Sequence, residues 1–186
     1  MVAEYLKQSL HLSEAGLLRE ALSPLHVGLG LFPNSPELWF EKYRILKKLN
    51  SPEAYKALVE CRRVDPKFLP ALQAYYEELL RQNRLREAYQ VLQELLEQDE
   101  QNPRWWAHKA FWAMHFGDQE SAEEAIQRAS ELPHQGPEVL YYQALFLARL
   151  GRREEAAQLL HKSLQQAPEL LAEASEEPLL RDLLSK

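Results

Sequence analysis

The residues of this 186-residue chain best able to bind a metal or attack a carbonyl are six histidines and one cysteine. The histidines are His11, His26, His108, His115, His134 and His161, and only His108 and His115 share a helical face, seven residues apart. Zinc pairs on a helix sit four apart with a carboxylate companion. The spacing therefore predicts two partly exposed histidines and no metal site. Cys61 falls where two helices should touch, which predicts a buried thiol, whereas a nucleophile needs cationic, partly exposed surroundings. Carboxylate pairs in "SEEP", "REEA" and "YEEL" fall on solvated helix faces. Gly28 and Gly30 have no strand before them and no Lys-Ser/Thr after them, so they are not a phosphate loop. The expectation is no catalytic, metal or cofactor-binding residue, no cofactor and no enzyme.

The elements behind these residues are helical. Hydrophobic residues make up 46% and charged residues 27%, enough for a sizeable core and against disorder. Lys and Arg number 22 against 28 Asp and Glu, a net charge of -6, which argues against broad nucleic-acid binding. A single cysteine excludes an internal disulfide framework. No apolar run is long enough for a membrane span, and the start, "MVAEYLKQSLHLSEAG", has no basic region leading into an apolar core. The expected compartment is the cytoplasm, with no membrane partner. Long-range patterning is helix-periodic throughout, which predicts an all-α fold.

The pattern also repeats. Alanines recur at Ala21, Ala54, Ala88, Ala122 and Ala156, spaced 33 or 34 apart. Four residues after each stands an aliphatic: Leu25, Leu58, Leu92, Ile126, Leu160. Seven after stand Gly28, Cys61, Leu95, Ala129 and Ser163, small in four cases. Five before stand Gly16, Leu49, Asn83, Gly117 and Gly151, four of which suit a tight turn. Pro33, Pro66, Pro103, Pro133 and Pro168 close the units. Each unit reads as helix, turn, helix and stop. The small residues mark close helix approach, the aliphatics fill the adjacent layer, and stacked pairs bury a common core that one pair cannot.

These residues resemble the tetratricopeptide repeat, with a period of about 34 and a small-residue and Pro pattern of this kind. The unit "WAHKAFWAMHFGDQESAEEAIQRASELP" carries it best, through Trp106, Ala110, Gly117, Ala122, Ala129 and Pro133. The resemblance implies a right-handed α-solenoid of five helix-turn-helix repeats at about 2–33, 36–66, 69–103, 103–133 and 137–168. A C-terminal capping helix pair over 169–186 would follow, because "ELLAEASEEPLLRDLLSK" breaks the repeat yet is too leucine-rich for a solvated tail. The expected helices are 2–15, 18–31, 36–49, 52–64, 67–82, 85–98, 103–116, 119–131, 137–149 and 152–166. Ser35, Ser51, Asn102 and Asp118 are the expected caps. Unit two is one residue short around "KKLNSPEA", and Tyr43 and Tyr76 fill positions the family keeps small.

In such proteins the first helices line a concave groove. Carried over by position, the groove residues are Leu6, Leu10, Phe40, Arg44, Lys47, Gln73, Glu77, Arg104, Phe111, Met114, Tyr141 and Leu145. Aromatics and Met on one exposed face suit an interaction surface. The function implied is a protein-binding scaffold holding a partner peptide or protein in that groove. The alternative is a self-assembling, homodimeric protein whose groove is covered by its own tail or by a second copy. An RNA-binding helical repeat would need a basic concave stripe, yet Arg44, Lys47 and Arg104 are set against Glu37, Glu77 and Glu138. The paired Lys and Asn with which some family members hold a C-terminal carboxylate are missing, since Leu6 and Leu10 stand there.

Overall fold

The computed structural model describes residues 1–133 and 136–184, and among them every regular element is a helix. His134 lies outside the described residues. The first six helices are α1 (Val2–Glu14), α2 (Leu22–Leu31), α3 (Pro36–Lys48), α4 (Glu53–Val64), α5 (Leu69–Arg81) and α6 (Leu85–Gln98). They are followed by α7 (Pro103–Phe116), α8 (Gln119–Glu131), α9 (Pro137–Arg149), α10 (Arg153–Gln166), α11 (Leu170–Glu176) and α12 (Pro178–Arg181). Ten of these match the expected spans to within about two residues at most ends. The exception is the start of α2, expected at residue 18 and found at Leu22. Pro24 explains the delay. It has no N–H, and its ring collides with the carbonyl four residues back, so the chain enters α2 through tight i→i+3 bonds, Leu22 N–H to Arg19 O and Ser23 N–H to Glu20 O.

The helices form two compact units, Met1–Val91 and Leu92–Lys186, divided within α6. In the first, α1 pairs with α2 and α3 with α4; in the second, α7 pairs with α8 and α9 with α10. Five turns join first helices to second helices by one device. A residue at positive φ sits at each: Gly16 (80°), Asn50 (52°), Asn83 (57°), Gly117 (80°) and Gly151 (77°). The next residue's N–H then reaches back five positions, at 2.9 Å in every case: Leu17 to Leu12, Ser51 to Leu46, Arg84 to Leu79, Asp118 to Ala113 and Arg152 to Leu147. This closes the orphan carbonyls of the helix end. Leu49, the one aligned position of the five that does not suit a tight turn, is not the turn residue; Asn50 takes that place. Leu49 keeps φ -80°, and asparagine tolerates the left-handed region better than leucine. The residue missing from this repeat is therefore lost after the turn.

The helix starts are capped as expected. Ser35 accepts from Leu38 N–H at 3.4 Å, Ser51 from Glu53 N–H at 3.3 Å, Asn102 from Arg104 N–H at 3.1 Å and Asp118 from Ser121 N–H at 3.1 Å. Trp39 and Trp106 each donate the indole N–H to a carbonyl six residues back, Pro33 O and Glu100 O, both at 2.8 Å. These bonds fix the linker to the helix it feeds.

Packing follows the repeat. Ala21, Ala88, Ala122 and Ala156 are fully buried, as are Cys61, Leu95, Ala129 and Ser163 seven positions after the markers. Ala54, in the shortened repeat, is half-buried. A methyl group added at Gly28 would stand 3.1 Å from Tyr5 Cβ and 3.2 Å from a Leu38 methyl, so α2 meets α1 and α3 there closely enough that even a methyl would make these neighbours give by a few tenths of an ångström. Cys61 and Ser163 use the same close approach differently. The thiol donates to Pro36 O at 3.1 Å and the hydroxyl to Pro137 O at 2.7 Å, tying each second helix to the first turn of its partner.

The five turns generate a prediction. Gly117→Ala forces a Cβ into the left-handed region and is expected to cost about 1–2 kcal/mol, whereas Asn83→Gly is neutral or stabilising. Urea melts of the two variants check it; an equal loss at both would show that the left-handed geometry is not what these positions supply.

Candidate functional site

Five of the expected groove residues meet in one place. Phe40, Arg44 and Lys47 on α3 and Gln73 and Glu77 on α5 line a cleft of about 470 Å³, with Tyr43, Lys48, Pro70 and Ala74 completing it. The spacing explains the gathering: residues 40, 44, 47 and 48 form one stripe of α3, and 70, 73, 74 and 77 the facing stripe of α5. Phe40 forms the aromatic wall, with its ring centroid 5.8 Å from both Tyr43 and Phe68. A second cavity of about 530 Å³ shares Tyr43 and Lys47 with the first and extends to Tyr55, Glu78 and Arg81.

The charges in the cleft are held in place. Arg44 pairs with Glu41 at 2.8 Å, so the expected opposition to Glu37 is corrected; Glu37 instead accepts from Ser35 at 2.6 Å. Glu41 is buried and Arg44 keeps nearly half its side chain in solvent. Lys47 stands 5.5 Å over the Tyr43 ring. The adjoining Tyr43 side chain, with Glu77 and Glu78 nearby, outweighs burial and raises its pKa, so it stays cationic. Leu6 and Leu10, the α1 candidates, are not in this cleft. Leu6 packs half-buried on the cluster of Ala21, Leu25 and Leu38, and Leu10 is exposed.

In the second unit, Arg104 and Phe111 are half-buried, while Met114, Tyr141 and Leu145 are buried where the sequence reading expected them open. The cause is the tail. Ala174 and Leu180 are fully buried in the same cluster as these three, with Leu170, Leu183 and Leu184 packed on it. α12 packs on α9. Burial first, then the charges of Glu173 and Glu177, push the Tyr141 hydroxyl up to about 12. Phe111 rests between Trp112 and Tyr142, at 5.1 and 5.3 Å between centroids.

Arg104 belongs to a different arrangement. Its guanidinium meets Glu138 at 2.6 Å, and the other Glu138 oxygen lies 3.2 Å from His108 Nε2. His108, expected to be partly exposed, is buried, and its ring lies 5.0 Å from Tyr142. Burial pushes the Glu138 carboxyl up, but the His108 hydrogen bond and the charges of His108 and Arg104 together hold it below the usual range. His115 faces Trp112 instead, at 5.6 Å. Among the described residues no three His, Cys, Asp or Glu side chains stand together as a metal site. Cys61 is buried and its thiol is pushed up to about 12, chiefly by burial and then by Asp65 and Glu37. At neutral pH it is a hydrogen-bond donor, not a nucleophile.

The tetratricopeptide repeat family model matches residues 50–111. No match is found among curated protein sequences. Solved structures extend the likeness over the chain. MamA from Desulfovibrio magneticus RS-1 aligns over 90% of this chain and 96% of its own, at 18% identity and a TM-score of 0.68. PilF of Pseudomonas aeruginosa aligns over 98% and 88%, at 20% identity and 0.67. YrrB, described as a TPR protein with an unusual peptide-binding site, aligns over 93% and 91%, at 18% identity and 0.66. The fold is that of the tetratricopeptide repeat proteins, an all-α solenoid class, and residues 50–111 carry the family's sequence pattern. Among the described residues no helix is long and apolar enough to cross a membrane.

The sequence reading missed Lys48, His115 and Arg149. Each lies four residues beyond a named groove residue, Arg44, Phe111 and Leu145, and so on the same helix face; extending each stripe by one turn would have found them.

The carboxylate of Glu138 generates the second prediction. A group whose folded pKa is depressed stabilises the fold above its unfolded value, near 4.3, and loses that contribution as pH falls through the folded value. Glu138→Gln is expected to lower the melting temperature at pH 7, and its gap to the parent protein to shrink below about pH 4. A gap independent of pH would mean that the ionised carboxylate contributes nothing.

Proposed function

We propose that the chain is a protein-interaction module and that the α3–α5 cleft holds an acidic segment of a partner protein. The partner places an apolar or aromatic side chain against Phe40 and a carboxylate between Arg44 and Lys47. The observation that carries this is the charge of the cleft: Arg44, Lys47 and Lys48 line it against the one carboxylate of Glu77, beside a half-buried aromatic wall. Lys47 keeps its charge, and Arg44 is oriented by buried Glu41 with its outer face in solvent. The peptide-binding site named for YrrB, on a similar fold, supports the reading. The module comprises five repeats bounded at about 33, 66, 103 and 133, closed by the segment after 168, and works in the cytoplasm without catalysis or cofactor.

A second reading rests on charge asymmetry. Residues 1–91 carry 13 Lys and Arg against 11 Asp and Glu, while residues 92–186 carry 9 against 17. The acidic partner segment could then come from a second copy, which is the self-assembling alternative.

The test is a fluorescent nonapeptide array probed with purified protein at low and high salt. The expected result is enrichment of Asp or Glu next to an aromatic or aliphatic residue, weakened at least tenfold by Arg44→Glu/Lys47→Glu and by high salt. Binding indifferent to both would overturn the acidic-partner reading. Light scattering on the same samples separates the second reading, since self-assembly predicts a dimer that the double substitution dissolves.

A further inference from the structure

The tail does more than end the chain. A terminal cap needs only to cover the outer face of the last helix pair. Here Leu179 borders a cavity of about 190 Å³ together with Phe111, Met114 and His115 of α7 and Leu145 of α9. The chain after α11 therefore turns back onto α9, with Leu179 at the edge of a cleft that α7 also lines, beside Phe111, Met114 and Leu145, which the family resemblance assigns to the ligand groove.

The fit is local, short and incomplete. α12 is a single turn, Pro178–Arg181, started by proline and by Glu177, whose carboxylate accepts from Leu179 N–H at 3.3 Å. Leu180 is fully buried, but Leu179 leaves 40% of its surface in solvent at the edge of an open cleft. Glu177 reaches the groove that Arg149 lines, and Asp182 lies 3.8 Å from Arg153. Everything that holds this segment comes from a few consecutive residues.

We propose that Glu177–Leu184 is an intramolecular ligand. It occupies in cis a groove between α7 and α9 that takes, in trans, a short acidic peptide with proline followed by two apolar side chains. A segment tethered this closely sees the groove at an effective concentration near millimolar, so a free peptide of equal fit is excluded until the tail is weakened or outmatched. The cleft beside Leu179 sets the specificity: a larger apolar side chain at that position covers more of Phe111, Met114 and Leu145 and removes more apolar surface from water.

The test uses the full chain and a fluorescein-labelled peptide, EEPLLRDLL, read by anisotropy. Leu180→Ser frees the groove and is expected to bind the peptide at least tenfold more tightly than the parent protein; adding Phe111→Ser removes that gain. Leu180→Ser that keeps its helix content yet gains no peptide binding overturns the proposal, and so does Leu180→Ser that unfolds, which makes the tail a structural cap. Leu179→Trp gives an independent reading at a partly exposed position. It is expected to cover the apolar side of the cleft, raise the melting temperature and weaken peptide binding below that of the parent; an unchanged or lower melting temperature contradicts the proposed fit.

Discussion

Two helices can share one repeat only if their axes come close enough to exclude water between them, and side-chain size at a few positions decides whether they do. At Gly28 the approach is so close that even a methyl group would press on Tyr5 and Leu38. At Cys61 and Ser163 it brings a polar atom within hydrogen-bond reach of a backbone carbonyl on the paired helix. That carbonyl belongs in both cases to the proline that opens the first helix. Its own helix still needs it, but its second lone pair is free for a small donor from the neighbour. The small residue therefore does two jobs: it permits the contact, and in these repeats it also anchors it.

From that contact the rest follows. Close pairing needs an abrupt reversal between helices, and five residues at positive φ supply it with the same five-back hydrogen bond. The reversal sets which face of each first helix points away from its partner. Those faces carry the cleft residues in the first unit and the tail-covered residues in the second. The two surfaces differ because their chemistry differs. α3 offers Arg44, Lys47 and Lys48 and α5 offers Gln73 and Glu77, polar groups that favour water. α7 and α9 offer Phe111, Met114, Tyr141 and Leu145, an apolar face that is costly to leave in water and that the chain's own leucines cover.

Much of this was legible in the sequence because it depends on residue type at fixed spacing. Helix spans, caps, the buried thiol and the stripe of Phe40, Arg44 and Lys47 are all local statements. What escaped depends on contacts between distant segments. Nothing local shows that the leucines after Pro178 lie on α9, or that His108 finds Glu138 thirty residues on. The late start of α2 and the shift of one residue from Leu49 to Asn50 were readable from Pro24 and from asparagine's tolerance of positive φ, but a strict repeat alignment hid both.

The close-approach constraint is tested most directly by comparing two leucines placed two residues apart on α8. Ala122 is fully buried and Glu124 is exposed. Ala122→Leu is expected to overpack the α7–α8 contact and cost about 1–3 kcal/mol in urea unfolding, while Glu124→Leu changes stability by no more than about 0.5 kcal/mol. Equal stability of the two variants would contradict the claim that small residues at the marker positions build the repeat.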